Sequence, residues 1–156
     1  MDDINKKKIT LSELYPVIRD KLDAGGTVEL PTTGTSMLPL LVWGRDSVDI
    51  QKTETPKTGD IIFYRRDNGQ FVLHRIVGKN ENGFILCGDN QWVKEYGIRP
   101  HNIIAVVTAI NRKGKKIDTD NKTYRLYSLL WVRILPIRKY MLIFMRKMKK
   151  LFGAKN

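Results

Sequence analysis

GDIIFYRRDNGQFVLHRIV, residues 59–77, decides the reading of this chain. Two runs rich in β-branched and aromatic residues, 61–65 and 71–77, flank the turn formers Asp67, Asn68 and Gly69. That pattern predicts an antiparallel hairpin, with Asn-Gly supplying the positive φ of a type I′ turn. Pro56, Lys57, Thr58, Gly59 and Asp60 form the turn cluster that launches its first strand, and Asp60 reads as the capping carboxylate of that turn. Outward from the hairpin the same alternation of short β-like runs and turns continues. Strands are expected at 27–30, at 47–51 where Val and Ile alternate, at 84–87, and finally at 103–110. A small polar turn at 31–35, an apolar run at 37–43, a second hairpin turn at 80–83 and a Gly88-Asp89-Asn90 turn connect them. Leu11, Leu14, Ile18 and Leu22 fall at helical spacing before the first strand, and Gly25-Gly26 closes that helix. The expected fold is therefore mostly β (α+β), a coiled β-sheet core behind a short N-terminal helix. An N-terminal helical segment spans 1–26, a β domain 27–120 and a tail 121–156.

The tail has its own character. The chain has 156 residues and a formal net charge of +12. All ten basic residues between Lys122 and Lys155 lie in a stretch without one acidic residue, so the body is nearly neutral. A nucleic-acid partner is not expected, because the excess charge belongs to an appendage and not to a reading face. Pro136 is expected to break the tail into two helices. In the second, Tyr140, Met141, Phe144, Met145, Met148, Leu151 and Phe152 share one face, with Lys and Arg elsewhere. Spanning a bilayer takes roughly 20 predominantly apolar residues, and every candidate run is cut by Lys or Arg. The pattern leaves two readings: a helix pair packed on the body with its basic face in water, or, as the preferred expectation, an in-plane anchor on an anionic membrane surface with Trp131 and Tyr140 at the interface level. The polar stretch 1–8 carries no apolar export segment, so the cytoplasmic face is the expected location. One cysteine, Cys87, excludes an intramolecular disulfide and reads as a small core residue. Two distant histidines and one cysteine make no metal site, and no cofactor is expected.

Three islands carry possible chemistry. Gly34-Thr35-Ser36-Met37-Leu38-Pro39 holds a serine among small residues, His74-Arg75 sits on the returning hairpin strand, and Gly88-Asp89-Asn90 supplies a carboxylate. A serine hydroxyl is a poor nucleophile until a base takes its proton. Imidazole suits that task near neutral pH, and a carboxylate on its far nitrogen fixes the tautomer. Ser36, His74 and Asp89 offer these three roles from separate parts of the chain. Arg75 alternates with His74 and so faces the other side of the strand, as an ion-pairing or positioning residue. His101 reads as a surface loop residue.

Together the islands resemble type I signal peptidases. Ser36-Met37-Leu38-Pro39 looks like the Ser-Met-x-Pro nucleophile box, Gly59-Asp60-Ile61-Ile62-Phe63 is similar to the Gly-Asp-Ile-Val strand entry, and Gly88-Asp89-Asn90 looks like the Gly-Asp-Asn box. The likeness covers residues 27–110, and the wider superfamily includes LexA-like self-cleaving repressors. It implies a signal-peptidase/LexA-like core and a serine endopeptidase acting on signal or leader peptides. Most bacterial members use lysine as base. His74 here is similar to the endoplasmic-reticulum and archaeal branch, which pairs its histidine with aspartate and so implies Asp89 as the third member. Gly34 stands where many bacterial members place a serine that binds the oxyanion. Backbone N–H groups of Thr35, Ser36 and Met37 would have to serve instead. Two alternatives stand beside this reading. One is self-cleavage, for which Ala24-Gly25 matches the repressors' Ala-Gly bond. The other is a non-catalytic peptide- or membrane-binding module of the same fold.

Overall fold

A computed structural model describes residues 10–153; the side chains of Lys149 and of residues 151–153 lie outside that description. The expectations resting on 1–9, Lys149, Leu151, Phe152 and Lys155 therefore fall outside the described residues. The architecture is α+β: an N-terminal helix, one eight-stranded antiparallel sheet and two C-terminal helices. Helix α1 (Leu11–Asp23) starts at a capping box. The Thr10 hydroxyl accepts from Glu13 N–H, and the Glu13 carboxylate takes the Thr10 N–H at 2.7 Å. Of its apolar stripe only Ile18 and Leu22 reach the core; Leu11 and Leu14 stay exposed.

The strands are β1 (Val28–Pro31), β2 (Asp46–Gln51), β3 (Ile61–Arg65), β4 (Phe71–Asn80), β5 (Gly83–Cys87), β6 (Glu95–Ile98), β7 (Ile103–Arg112) and β8 (Lys115–Asp118). Their order is β1-β2-β7-β3-β4-β5-β6, with β8 on β7. Strand β7 joins the halves: its first part pairs with β3, and its remainder pairs with β2 and β8. One core cluster lies where α1 and the loop after β1 cover Ile50, Ile61, Phe63 and Val107. A second, on the other face, gathers Ile62, Tyr64, Ile76, Phe84 and Leu86.

The hairpin of residues 59–77 forms as expected, with Ile62 opposite His74 and Arg65 opposite Phe71. Its turn is not type I′. Gly69 alone takes positive φ, at 87°, and its N–H closes on Arg66 C=O at 2.8 Å, so the loop is a type I turn followed by a glycine bulge. Strand 103–110 is not the last, because Lys113 and Gly114, both at positive φ, return the chain into β8.

The tail forms α2 (Lys122–Arg133) and α3 (Leu135–Gly153), divided just before Pro136. Arg75 keys it to the sheet. Its guanidinium donates to both Asp89 carboxylate oxygens at 2.8 and 2.7 Å, to Gly59 C=O at 2.8 Å, and to the Ser128 and Tyr124 hydroxyls of α2 at 2.7 and 3.4 Å. Burial alone would disfavour the charge on Arg75, but the Asp89 carboxylate outweighs it and raises the pKa above the ordinary arginine value. Gly59 has to be glycine here: φ is 96°, and a Cβ would lie 2.8 Å from Ser128 Oγ. Arg125 adds an ion pair to Asp60 at 2.5 Å, while Asp60 also caps its own turn by accepting Lys57 N–H. Arg75→Ala would strand a buried carboxylate and is expected to cost about 3–5 kcal/mol of unfolding free energy, measured by urea denaturation. A cost below about 1 kcal/mol would show that the pair holds nothing.

Candidate active site

The serine loop is anchored from both ends. Thr32 donates from its N–H and its hydroxyl to Asp46 C=O at 3.1 and 2.7 Å. The Asp46 carboxylate accepts Val42 N–H at 2.8 Å, closing the loop on itself. Between these ties Met37, Leu40 and Leu41 are buried in the first core cluster, so the chain turns over them and leaves Ser36 half-buried at the rim. The Gly88-Asp89-Asn90 turn clamps it from the other side. Asn90 N–H donates to Ser36 C=O at 2.7 Å, and the Asn90 side-chain amide donates to Thr35 C=O at 3.1 Å. Gly88 is required by this approach, since a Cβ there would stand 2.7 Å from Ser36 O. Among the described residues, the N–H groups of Thr35, Ser36 and Met37 are not spent on internal hydrogen bonds.

His74 is buried on β4, on the face shared with Ile62 and Tyr64, whereas the serine loop packs over the opposite face. The two meet at an edge. Strand β5 pairs with β4 only from Arg75 onward, so residues 71–74 have β3 on one side and no strand on the other. A cleft of about 930 Å³ follows that open edge, and Ser36, His74, Asn90 and residues 28–35 all line it. The free edge of β1 forms its other long wall.

Asp89 is not the partner of His74. Both its oxygens are taken by Arg75, and both residues are 0% exposed. The carboxylate on the histidine is Glu95, at the start of β6, with Oε1 3.0 Å from His74 Nδ1. Tyr64 stands beside them: its hydroxyl donates to Glu95 Oε2 at 2.9 Å and lies 3.3 Å from the same Nδ1. Arg66 also holds Glu95, through Nε at 2.9 Å and through Nη2. Glu95 is thus an ionised acceptor: burial opposes its charge, but Arg66 and Tyr64 prevail and lower its pKa. Burial, seconded by Glu95, raises the Tyr64 phenol well above its ordinary value and keeps it protonated. Burial also lowers His74 below the usual imidazole value, against the opposing pull of Glu95. The ring is therefore a neutral base at neutral pH. With Nδ1 directed at Glu95, Nε2 is the nitrogen left for chemistry.

Comparison with protein-family models, curated proteins and solved structures returned no match. The site thus rests on its own geometry. Glu95 escaped sequence reading because Glu95-Tyr96-Gly97-Ile98 has neither an alternating pattern nor β-branched residues before its last position. The available signal was the spacing of Tyr64, Arg66 and His74, which places all three on one face of the hairpin. Cys87 is a buried core residue, as expected; His101 is exposed as expected but lies in a short 3-10 helix, Pro100–Asn102, and not in a loop. Among the described residues no cluster of His, Cys, Asp and Glu could hold a metal ion.

The histidine couples stability to acid. Its folded pKa is lowered, so below the ordinary value of about 6.5 the unfolded chain takes up a proton that the native chain refuses. Unfolding free energy should decline as pH falls from 7 toward 5, at up to about 1.4 kcal/mol per unit. His74→Gln should flatten that decline; denaturant titrations giving equal slopes for both proteins would contradict it.

Proposed function

We propose that the protein is a serine endopeptidase of the signal-peptidase type, acting on signal or leader peptides, with the sheet as a signal-peptidase/LexA-like coiled core. The observation that carries this reading is the open cleft that Ser36 and His74 both line, with Glu95 behind the imidazole. Ser36 Oγ attacks a peptide carbonyl while His74 Nε2 accepts its proton. Glu95 holds the imidazole in register and stabilises the imidazolium, the role expected of Asp89 from the resemblance. N–H groups of Thr35, Ser36 and Met37 receive the oxyanion, and His74 then protonates the leaving amine. The substrate lies extended between the free edges of β1 and β4, which offer main-chain partners on both sides. Cleavage is in trans: Ala24-Gly25 is bound into the end of α1, with Gly25 N–H on Leu22 C=O and Gly26 N–H on Lys21 C=O.

The location we propose is the surface of an anionic membrane. The described helices include none long and apolar enough to cross a bilayer. The tail helices bury Tyr124 and Leu142 together with Ser128 and Arg138, at 6%, 3%, 1% and 0% exposure, yet leave Leu126, Leu129, Leu130, Ile137, Tyr140 and Phe144 54–72% exposed. Lys122, Arg133, Lys139, Lys147 and Lys150 of the same two helices are exposed as well, and no acidic residue follows Asp120. A second copy would bring the same positive charge, so anionic lipid is the partner that fits. We assign the cytoplasmic leaflet, where anionic lipids concentrate. Trp131 does not join this surface; its ring stacks on Tyr127 at 5.8 Å, and its N–H is buried.

On peptides with small residues before the cut, Ser36→Ala and His74→Ala should each reduce kcat by at least about 10³-fold. Glu95→Gln should keep most stability but lose about 10²-fold or more in kcat. Asp89→Asn should mainly destabilise. The reverse pattern for Glu95 and Asp89 would refute the role given to Glu95. Ser substitutions at Leu129, Leu130, Tyr140 and Phe144 together should weaken flotation with anionic liposomes by about tenfold or more. Unchanged flotation would remove the membrane from this account.

A further inference from the structure

The cleft has two arms of different chemistry. One runs from Ser36 along β1 toward α1 and is walled by Leu14, Leu30, Met37, Phe63 and Phe71. The other passes Asn90 and Gln91 into a smaller hollow of about 490 Å³, lined also by Arg66, Trp92, Val93, Glu95 and Arg146. Three charges face this hollow. Arg66 and Glu95 are spent on each other through two hydrogen bonds. Arg146 comes from α3, with its guanidinium over the Trp92 ring at 5.4 Å, and among the described residues no carboxylate pairs with it. The uncompensated charge of the hollow is therefore positive and belongs to Arg146.

We propose that Arg146 makes this second arm a carboxylate subsite, receiving a substrate residue on the side of the scissile bond away from the apolar arm. The inference rests on the peptidase reading for its direction, though binding alone can test it. A guanidinium is a planar fork of donors that matches a carboxylate bidentately. The cation–π contact with Trp92 favours a guanidinium placed over the hollow before the ligand arrives, so less side-chain freedom is lost on binding. The tail helix thus contributes to the cleft a recognition group that the serine, histidine and Gly-Asp-Asn islands lack. The carboxylate is that of an Asp or Glu side chain, or of a peptide ending within the hollow.

Both sources are separated by one peptide set. Fluorescent peptides with apolar residues before the cut would carry Asp or Asn at one, two or three positions after it, or end there as a free acid or an amide. Anisotropy titrations with Ser36→Ala protein at physiological salt give affinity; wild type gives kcat/KM. The acid member of one pair should bind roughly fivefold more tightly than its neutral twin, and which pair responds identifies the source. Arg146→Gln should erase that preference without weakening the neutral peptides, and Arg146→Glu should favour Lys over Asp at the same position. Lys147→Glu, an equal charge change one residue away, should leave the preference intact. Acid and neutral peptides binding alike, a preference that survives Arg146→Glu, or equal loss in Lys147→Glu would each overturn the subsite, as would failure of every peptide to bind at millimolar concentration. An Arg146-dependent preference in binding with no cleavage by wild type would keep the subsite and reject the peptidase.

Discussion

The buried ion pair between Arg75 and Asp89 is the constraint on which the rest of this structure depends. Both residues are 0% exposed, so the pair repays its desolvation only because each guanidinium nitrogen and each carboxylate oxygen has a hydrogen-bond partner. Arg75 spends its guanidinium on the Asp89 carboxylate, the Gly59 carbonyl and two hydroxyls of α2. One side chain therefore fixes the turn before β3, the Gly-Asp-Asn turn and the docking of the tail. The Gly-Asp-Asn turn in turn holds Ser36 by its carbonyl oxygen. Arg138 of α3 reinforces the same turn by donating to Gly88 C=O at 3.3 Å. The tail is thus part of the scaffold of the site and not a detachable appendage.

Alternation along one strand separates scaffold from chemistry. His74 and Arg75 are neighbours, so they project to opposite faces of β4. Arg75 meets Asp89 beneath the serine loop, while His74 meets Glu95, Tyr64 and Arg66 on the other face. Each of the two carboxylates is committed by its own arginine, Asp89 by Arg75 and Glu95 by Arg66. Glu95 alone keeps contact with an imidazole. The open edge of β4 lets a histidine on one face line the same cleft as a serine loop packed over the other, because no strand pairs with residues 71–74 on that side.

Much of this was legible in the chain. The hairpin at 59–77, the strands around it, the helix ahead of Gly25 and the break before Pro136 all carry local signals: β-branched runs, turn formers and a ring that cannot continue a helix. Arg75 was readable as an ion-pairing residue from its alternation with His74. What escaped depends on distance in sequence. Glu95 reaches His74 only after two strand returns, and its own segment has no periodicity to place it. Asp89 pairs with Arg75 and not with His74, which the Gly-Asp-Asn turn could not reveal, because a turn motif says that a carboxylate is present but not which cation it faces. The packing of the tail was only partly visible: its apolar face was clear, but not that Arg138 is buried and that the Trp131 ring packs on Tyr127.

Intact-mass spectrometry after exposure to a fluorophosphonate tests the central claim most directly, because the reagent marks only a serine whose proton has a base to leave to. The account predicts a single adduct, mapped to Ser36, that disappears in His74→Ala and slows sharply in Glu95→Gln. No adduct on the folded wild-type protein, or labelling of Ser36 at an unchanged rate without His74, would contradict it.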